Sequence, residues 1–268
     1  MFFLQSTFLF LFGLFVGTFG TMLGIGGGWL HVLFLMLLFN FTPQDAIGTS
    51  IGIIFFNTLA GSLVYYHQRR MDFQLAKTMV LAVIPGAILG PLIVQQYTTS
   101  FFMMIFSLFL IAIALYMFFR ARPVTLLPEA KYNRVTTITD IFGETVTYKT
   151  SRELGIIGTF VIGFISNLLG IGGGIIHVPY LILVMRIPTH IALGTSHFIL
   201  CVSSFVGMLM FFFLGNIKID FMMPIALGAI VGASLGADLA RKTESDVIKK
   251  IISIVIFLVA CKILIRAL

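Results

Sequence analysis

Ten apolar runs, most of them about twenty residues long, make up almost the whole chain and are separated by short gaps. Only 10% of the 268 residues are charged, whereas a soluble domain carries about 25%, so no aqueous fold could enclose so much apolar surface. Helices and closed barrels alone satisfy the backbone in lipid, and these runs are too long for barrel strands. The sequence therefore predicts an all-α polytopic membrane protein and excludes a soluble enzyme.

One glycine motif occurs twice in the chain. Gly24-Ile25-Gly26-Gly27-Gly28 recurs as Gly170-Ile171-Gly172-Gly173-Gly174, an offset of 170 − 24 = 146 residues. Because one ungapped register continues over about seventy residues, we conclude that the chain consists of two homologous halves. The same offset aligns His31 with His177, and Gly48-Thr49-Ser50 with Gly194-Thr195-Ser196.

Each half contains five runs and is predicted to form a five-helix membrane repeat. The second run of each half has only about twelve residues, which at 1.5 Å per residue fall short of the bilayer core. We interpret this run as a half-helix that follows an unwound glycine segment. The runs lie at about 3–23, 29–40, 46–66, 75–96 and 101–119, and at about 154–169, 175–186, 191–214, 221–240 and 247–265.

The two membrane repeats are assigned to residues 1–119 and 153–268. The polar stretch between them, 120–152, mixes basic and acidic residues and is predicted to be a solvated linker with a short hairpin around Phe142-Gly143. The basic residues of the chain lie mainly in such gaps, where they act as topology signals, so the net charge of +7 does not indicate a nucleic-acid partner.

The number of crossings decides how the two halves are related. Five crossings per half invert the second repeat relative to the first, whereas four leave the repeats parallel. With five, fourteen of the 17 Lys and Arg residues fall on one side, and with four the division is 12 to 5. The positive-inside rule favours five crossings, an inverted repeat and a cytoplasmic linker, and eight crossings with a parallel repeat remain the alternative.

The doubled glycine motif is the main candidate binding site. A glycine break between membrane helices exposes backbone N–H groups, and the helix N-terminus that follows adds partial positive charge, so two breaks meeting near the midplane could hold an anion. Glycines also let helices approach closely, which is our interpretation of Gly86, Gly90, Gly228, Gly232 and Gly236. The candidate anion-binding glycines are Gly24, Gly26, Gly27, Gly28, Gly170, Gly172, Gly173 and Gly174.

Polar side chains within the apolar runs supply further candidates. Imidazole is costly in lipid, so His31 and His177 are candidates for proton coupling, although a buried histidine can also simply hydrogen-bond to a neighbour. Hydroxyl groups could bind oxyanion oxygens, but in membrane helices they often bond to their own or a neighbouring helix. The hydroxyl candidates are Thr49, Ser50, Thr195 and Ser196, and the accessory candidates are Asn57, Asn167 and His197.

The sequence contains none of three common motifs for nucleotide, metal or redox chemistry. There is no P-loop, no HExxH and no CxxC, so we expect no ATP hydrolysis, no metal or redox centre, no cofactor and no catalytic residues. Nothing in the sequence implies an ATPase subunit, and the oligomeric state stays open.

The complete pattern is a helix that ends in G-x-G-G-G, an apolar run and then A-x-G-T-S, present in both halves. In this it resembles the TauE/SafE sulfite exporter family, also called the TSUP family, over nearly the whole chain outside the linker. The resemblance implies transport of small sulfur-containing anions across the bacterial inner membrane, with Gly24–Gly28, Gly170–Gly174 and the two Thr-Ser pairs at the site. A proline that usually follows the glycine cluster is present as Pro179, but Leu33 stands in its place in the first half.

The sequence thus predicts a secondary transporter whose partners are a small anion and the lipid bilayer. The energy would come from a proton gradient or from the gradient of the substrate. A passive anion channel is the first alternative, because its sequence would look similar. A membrane enzyme acting on lipid head groups is the second, although Asp45, Asp72 and His190 are isolated groups rather than a catalytic cluster.

Overall fold

The computed structural model describes residues 2–24, 26–119, 132, 134–240 and 246–267. In this part of the chain there are ten helices and one two-stranded antiparallel hairpin. The first half contains α1 (Phe2–Leu23), α2 (Gly28–Phe39), α3 (Pro43–His67), α4 (Phe73–Val94) and α5 (Thr99–Phe119). It is followed by β1 (Arg134–Thr139), β2 (Thr145–Thr150), α6 (Arg152–Leu169), α7 (Gly174–Leu183), α8 (Thr189–Phe213), α9 (Ile219–Leu239) and α10 (Asp246–Ala267).

The ten predicted helical segments are present, with boundaries within about three residues of those read from the sequence. The second helix of each half is short, as predicted, with 12 residues in α2 and 10 in α7. Six of the described helices are long and apolar enough to cross a bilayer. The protein is therefore a multi-pass membrane protein. These six are Leu4–Leu23, Pro43–His67, Phe73–Val94, Arg152–Leu169, Thr189–Phe213 and Ile219–Leu239.

The two halves are interlocked, because the first helix of each half packs along the fourth helix of the other. In the pair α1–α9, the glycines of α9 lie directly against the backbone of α1. In the pair α4–α6, a Cβ on Gly86 would lie 2.6 Å from the backbone nitrogen of Phe164, and one on Gly90 would lie 2.9 Å from that of Leu168. These glycines therefore serve close helix packing, as predicted.

The third helices of the two halves, α3 and α8, form the centre of the molecule and run in opposite directions. A Cβ on Gly48, early in α3, would lie 3.1 Å from Cβ of Phe211, late in α8, and Tyr65 meets Gly194 in the same way at the other end. At the crossing point the hydroxyl oxygens of Thr58 and Ser204 are 3.4 Å apart. These two residues are equivalent in the repeat, since 204 − 58 = 146.

The linker forms the hairpin predicted around Phe142-Gly143, with Arg134 paired to Thr150 at one end and Thr139 to Thr145 at the other. The expectation of a solvated linker is wrong for this part, because ion pairs with two buried carboxylates hold the hairpin on the loop between α3 and α4. Arg70 donates to Asp140 Oδ2 at 2.6 Å, and Arg134 donates to Asp72 Oδ1 at 2.9 Å. Residues 120–131 of the predicted linker lie outside the described residues.

Both acidic partners of these ion pairs are charged at neutral pH. Burial alone would raise the pKa of Asp140, but hydrogen bonds from Arg70 and from the backbone N–H groups of Glu144 and Phe142 outweigh burial and hold that pKa below its usual range. Burial also opposes ionisation of Asp72. Hydrogen bonds to Asp72 from Arg134, from the Leu75 N–H and from the Tyr148 hydroxyl outweigh it and lower the pKa in the same way.

Candidate anion site at the paired glycine breaks

Each glycine break owes its shape to left-handed backbone. In the first break Gly24, Gly26 and Gly27 have φ angles of 68°, 79° and 65°, and the equivalent glycines of the second have 69°, 73° and 67°. A side chain with a Cβ rarely adopts these angles, which explains why each break needs three glycines. The equivalent glycines of the two breaks have similar φ angles although Pro179 has no counterpart in the first half.

The two breaks lie against each other in the centre of the molecule. A Cβ built on Gly26 would be 3.5 Å from the backbone nitrogen of Gly174 and 3.9 Å from the carbonyl oxygen of Gly172. Ser50 of α3 joins the two breaks, because its hydroxyl lies 2.9 Å from the carbonyl oxygen of Gly170 and 3.2 Å from that of Gly28. The structure therefore brings both glycine segments and one of the predicted hydroxyl residues together.

Two helix N-termini meet at this point, since α2 begins at Gly28 and α7 at Gly174. The N–H groups of a first helical turn lack the usual partner four residues earlier, and each N-terminus carries about half a positive charge. The sequences of α1, α2 and α7 contain no Asp, Glu, Lys or Arg. These three helices therefore carry no permanently charged side chain, and they can attract an anion at the breaks only through backbone dipoles, polar groups and their histidines.

The two equivalent histidines differ in their surroundings. Both are buried. Nδ1 of His177 lies 2.9 Å from the Ser196 hydroxyl, and its Nε2 lies 3.2 Å from the Thr159 hydroxyl. Neither ring nitrogen of His31 has a hydrogen-bond partner among the described residues, and the ring of Phe12 packs against His31 at 5.8 Å between centroids.

The threonines of the two Gly-Thr-Ser motifs bind the opposite half of the chain. Thr49 Oγ1 accepts a hydrogen bond of 3.0 Å from the backbone N–H of Lys218, and Thr195 Oγ1 accepts one of 3.0 Å from that of Asp72. The two contacts are equivalent, since 218 − 72 = 146. The structure thus gives both hydroxyls a packing partner away from the breaks, and their role in binding an anion stays a prediction.

The accessory residues line the interface of α3 and α8 with the helices beside them. The Thr21 hydroxyl donates to Asn57 Oδ1 at 3.4 Å, and Asn167 Nδ2 donates to the Ser203 hydroxyl at 2.9 Å. His197 bonds through Nδ1 to the carbonyl oxygen of Leu193. Asn167 Oδ1 and His197 Nε2 have no partner among the described residues, so this polar interface keeps hydrogen-bonding capacity.

The sequence motifs do not single out Thr21, Thr58 or Ser204 as site residues, although all three are buried in this polar interface. A signal for the last two was available, because the repeat offset aligns a hydroxyl residue with a hydroxyl residue at these positions. Single Ser and Thr residues in an apolar run are common, which is why they carry little information alone.

Replacing Thr195 with valine is expected to destabilise the protein by about 1 kcal/mol, because the buried N–H of Asp72 loses its acceptor. Thr195→Ser should retain most of the native stability. The midpoint of thermal unfolding in detergent measures both effects. Thr137→Val, on the exposed face of the hairpin, is the matched control, and an equal loss in this variant would contradict a specific role for Thr195.

Both glycine breaks lie within the part of the chain that matches a known family. The family model described as Sulfite exporter TauE/SafE matches residues 9–263. The chain belongs to the TauE/SafE sulfite exporter family. No solved structure matches this TauE/SafE protein.

Two relatives of this TauE/SafE protein are named as transporters. The probable membrane transporter protein YunE of Bacillus subtilis (strain 168) is 32% identical over 261 residues, which cover 94% of each chain. The probable membrane transporter protein MJ0441 of Methanocaldococcus jannaschii is 27% identical over 214 residues, which cover 78% of this chain and 73% of that protein. The TauE/SafE protein described in this structure is therefore a membrane transporter.

Proposed function

We propose that the protein is a secondary transporter of a small sulfur-containing oxyanion, such as sulfite or an organosulfonate, in the bacterial inner membrane. The observation that carries this proposal is the meeting of two helix N-termini at the paired glycine breaks. The proposed anion-binding residues are Gly24, Gly26, Gly27, Gly28, Thr49, Ser50, Gly170, Gly172, Gly173, Gly174, Thr195 and Ser196. Asn57, Asn167 and His197 are proposed as accessory residues, and one of the two equivalent histidines, His31 or His177, as the proton-coupling residue.

An oxyanion suits such a site for two reasons. Its three oxygens can accept several hydrogen bonds at once. The N–H groups of two facing helix N-termini can donate these hydrogen bonds from opposite sides. A permanent side-chain cation would bind the anion tightly, and burying that cation would cost free energy whenever the anion is absent. Backbone dipoles also favour the anion, but they need no counter-charge after the anion leaves.

The proposed arrangement of the repeats is inverted, with ten crossings and the linker in the cytoplasm. Support comes from α3 and α8, which occupy equivalent places in the two repeats and pack antiparallel. Repeats related by an axis along the membrane normal would place equivalent helices parallel. A cysteine at the C-terminus should then be labelled from outside and one at Thr147 in the hairpin from inside, whereas labelling of both from inside would favour eight crossings.

Purified protein in liposomes is expected to take up sulfite or methanesulfonate when a gradient is imposed. The direct measurement is uptake of the labelled anion, with empty liposomes as the control. Uptake that follows only the anion gradient at a channel-like rate, without saturation, would indicate the passive channel instead. If neither anion moves under any imposed gradient, the proposed substrate class is wrong.

Gly26→Ala is expected to lower the uptake rate about tenfold while the protein still folds, because its methyl group would point into the space between the two breaks. Gly215→Ala is the matched control: its φ of 76° gives the same backbone strain as the 79° of Gly26, but nothing lies within 4 Å of its added Cβ. Equal uptake by the two variants would contradict a site between the breaks. Gly27 serves this purpose poorly, since a Cβ there would collide with Val16 and disturb packing.

A further inference from the structure

The repeat places a histidine at one position twice but keeps its hydrogen-bond partners in only one half. The partners of His177 are Thr159 and Ser196. Subtracting 146 from each number gives Gly13 and Ser50 as the equivalent residues around His31. Gly13 has no hydroxyl, and Ser50 instead directs its hydroxyl to the carbonyl oxygens of the two glycine breaks. His31 is therefore unpartnered because of two identifiable differences between the halves.

Neither difference could be removed without disturbing the protein. A Cβ on Gly13 would collide with the backbone of Ile225, so the packing of α1 on α9 excludes a hydroxyl side chain there. Ser50 is the residue that joins the two breaks. A buried polar group without a partner destabilises the folded protein. The ring nitrogens of His31 are therefore free of hydrogen bonds to the described residues and can take part in the transport cycle.

No carboxylate on the surrounding helices is placed to compensate a positive charge on His31. The helices α1 and α2 contain no titratable side chain other than His31 itself. The charged and titratable side chains of α3 and α9 lie near the ends of these helices, and Asp45 is already paired with Lys218 Nζ at 3.1 Å. These end residues are Asp45, Tyr65, Tyr66 and His67 of α3, and Asp220 and Asp238 of α9.

We infer that His31, and not His177, takes up the proton that travels with the anion. This inference rests on the proposed function. His31 is the fourth residue of α2, and its backbone N–H donates to the carbonyl oxygen of Gly27 at 3.3 Å, so its backbone lies one helical turn after the first break. An imidazolium there compensates the charge of an anion at the break, so anion binding and protonation strengthen each other.

The proton balance is simple. One proton from the water on the entry side binds a free ring nitrogen of His31 as the anion binds, and both leave on the exit side, so one proton crosses with one anion. His177 is unsuited to this step. A neutral imidazole has one donor and one acceptor nitrogen, so one hydroxyl donates to His177. Protonation would make both nitrogens donors, and that hydroxyl would have to turn its proton toward another acceptor inside the core.

The test measures anion uptake and internal pH together in liposomes that contain a pH-sensitive dye. Methanesulfonate is the probe for the proton ratio, because a sulfonate has no titratable proton near neutral pH, and sulfite is assayed in parallel. The variants are His31→Gln, His31→Asn and the matched control His177→Gln, each checked for folding by size-exclusion chromatography and thermal unfolding. We expect both His31 variants to lower the number of protons moved per anion at least tenfold. His177→Gln should lower the unfolding temperature and leave this ratio unchanged.

A native proton ratio in a folded His31 variant would overturn the inference, as would loss of the ratio in His177→Gln alone. Native protein that moves the anion without any proton would also overturn it and leave the proposed function standing. Native protein that moves neither anion would overturn the proposed function, and the inference with it.

Discussion

Replacing Gly228 with leucine is expected to leave almost no folded protein in the membrane. A Cβ at this position would collide with the carbonyl oxygen of Phe10 and lie 2.7 Å from the backbone nitrogen of Leu14. Both atoms belong to the backbone of α1, which cannot move aside as a side chain can. Separating α1 from α9 would also break the contacts of Gly232 and Gly236 with the same helix. We expect a loss of at least about 5 kcal/mol, the lower end of the total stability of a typical protein.

The measurement is the yield of monodisperse protein after membrane extraction, followed by its unfolding midpoint. Gly228→Ala should give an intermediate result, because it adds a single methyl group to the same contact. Leu227→Phe is the matched control, since the neighbouring side chain is 53% exposed. A monodisperse Gly228→Leu protein with native stability would show that the close contact between α1 and α9 is not part of the fold.

The helical segments could be predicted from the sequence because lipid leaves an apolar run few alternatives. The start of α2 at Gly28 and of α7 at Gly174 follows from the glycines just before them, whose left-handed backbone ends one helix and allows the next to begin. The small residues Gly86 and Gly228 were likewise predicted to serve helix packing. Local sequence is sufficient for conclusions of this kind.

The packing partners could not be predicted, because they depend on contacts between distant parts of the chain. Nothing local to Gly228 indicates that it faces α1 rather than another helix of its own half. The hydroxyl of Thr49 could equally have faced a ligand, its own helix or, as found, the backbone of Lys218. For residues of this type the sequence predicts burial and polarity but not the identity of the partner.

The two histidines show the same limit at the candidate site. Their local motifs are alike, yet His177 has the Thr159 hydroxyl as a partner and His31 has none among the described residues. One of the two differences, Gly13 in place of Thr159, lies 18 residues earlier in each half, since 31 − 13 = 177 − 159 = 18. This difference can be linked to the histidines only when the packing of the neighbouring helices is known.

Asp140→Asn is expected to release the linker hairpin from the membrane helices. The side chains of Arg70 and Asp140 are each only 4% exposed, so the variant leaves a buried guanidinium without its main partner. Breaking a buried pair in this way costs about 3–5 kcal/mol. Glu144 lies 3.7 Å from Arg70 but is 58% exposed, so its compensation is weak. Limited proteolysis should therefore cut the hairpin of the variant much faster than that of the native protein.

Two further variants show whether the effect of Asp140→Asn comes from leaving the Arg70 charge unpaired. The double variant Arg70→Leu/Asp140→Leu removes both charges and should restore much of the protection, because no unpaired ion remains buried. Lys218→Ala breaks the half-exposed pair with Asp45 and should cost no more than about 1 kcal/mol. Equal protease sensitivity in Asp140→Asn and Lys218→Ala would contradict a special role for the buried pair.

Acid should release the same hairpin in the native protein. The pKa values of Asp72 and Asp140 are both lowered in the folded state. The stability that they contribute is therefore fully present above the unfolded pKa of about 3.9, and it is lost as the pH falls through the lowered folded values. Proteolysis by an acid-active protease such as pepsin should be slow at pH 5 and should accelerate below about pH 4. In Arg70→Leu/Asp140→Leu, only Asp72 remains of the two carboxyls whose pKa is lowered, so the acceleration should be smaller. An unchanged acid profile would show that Asp140 does not hold the hairpin.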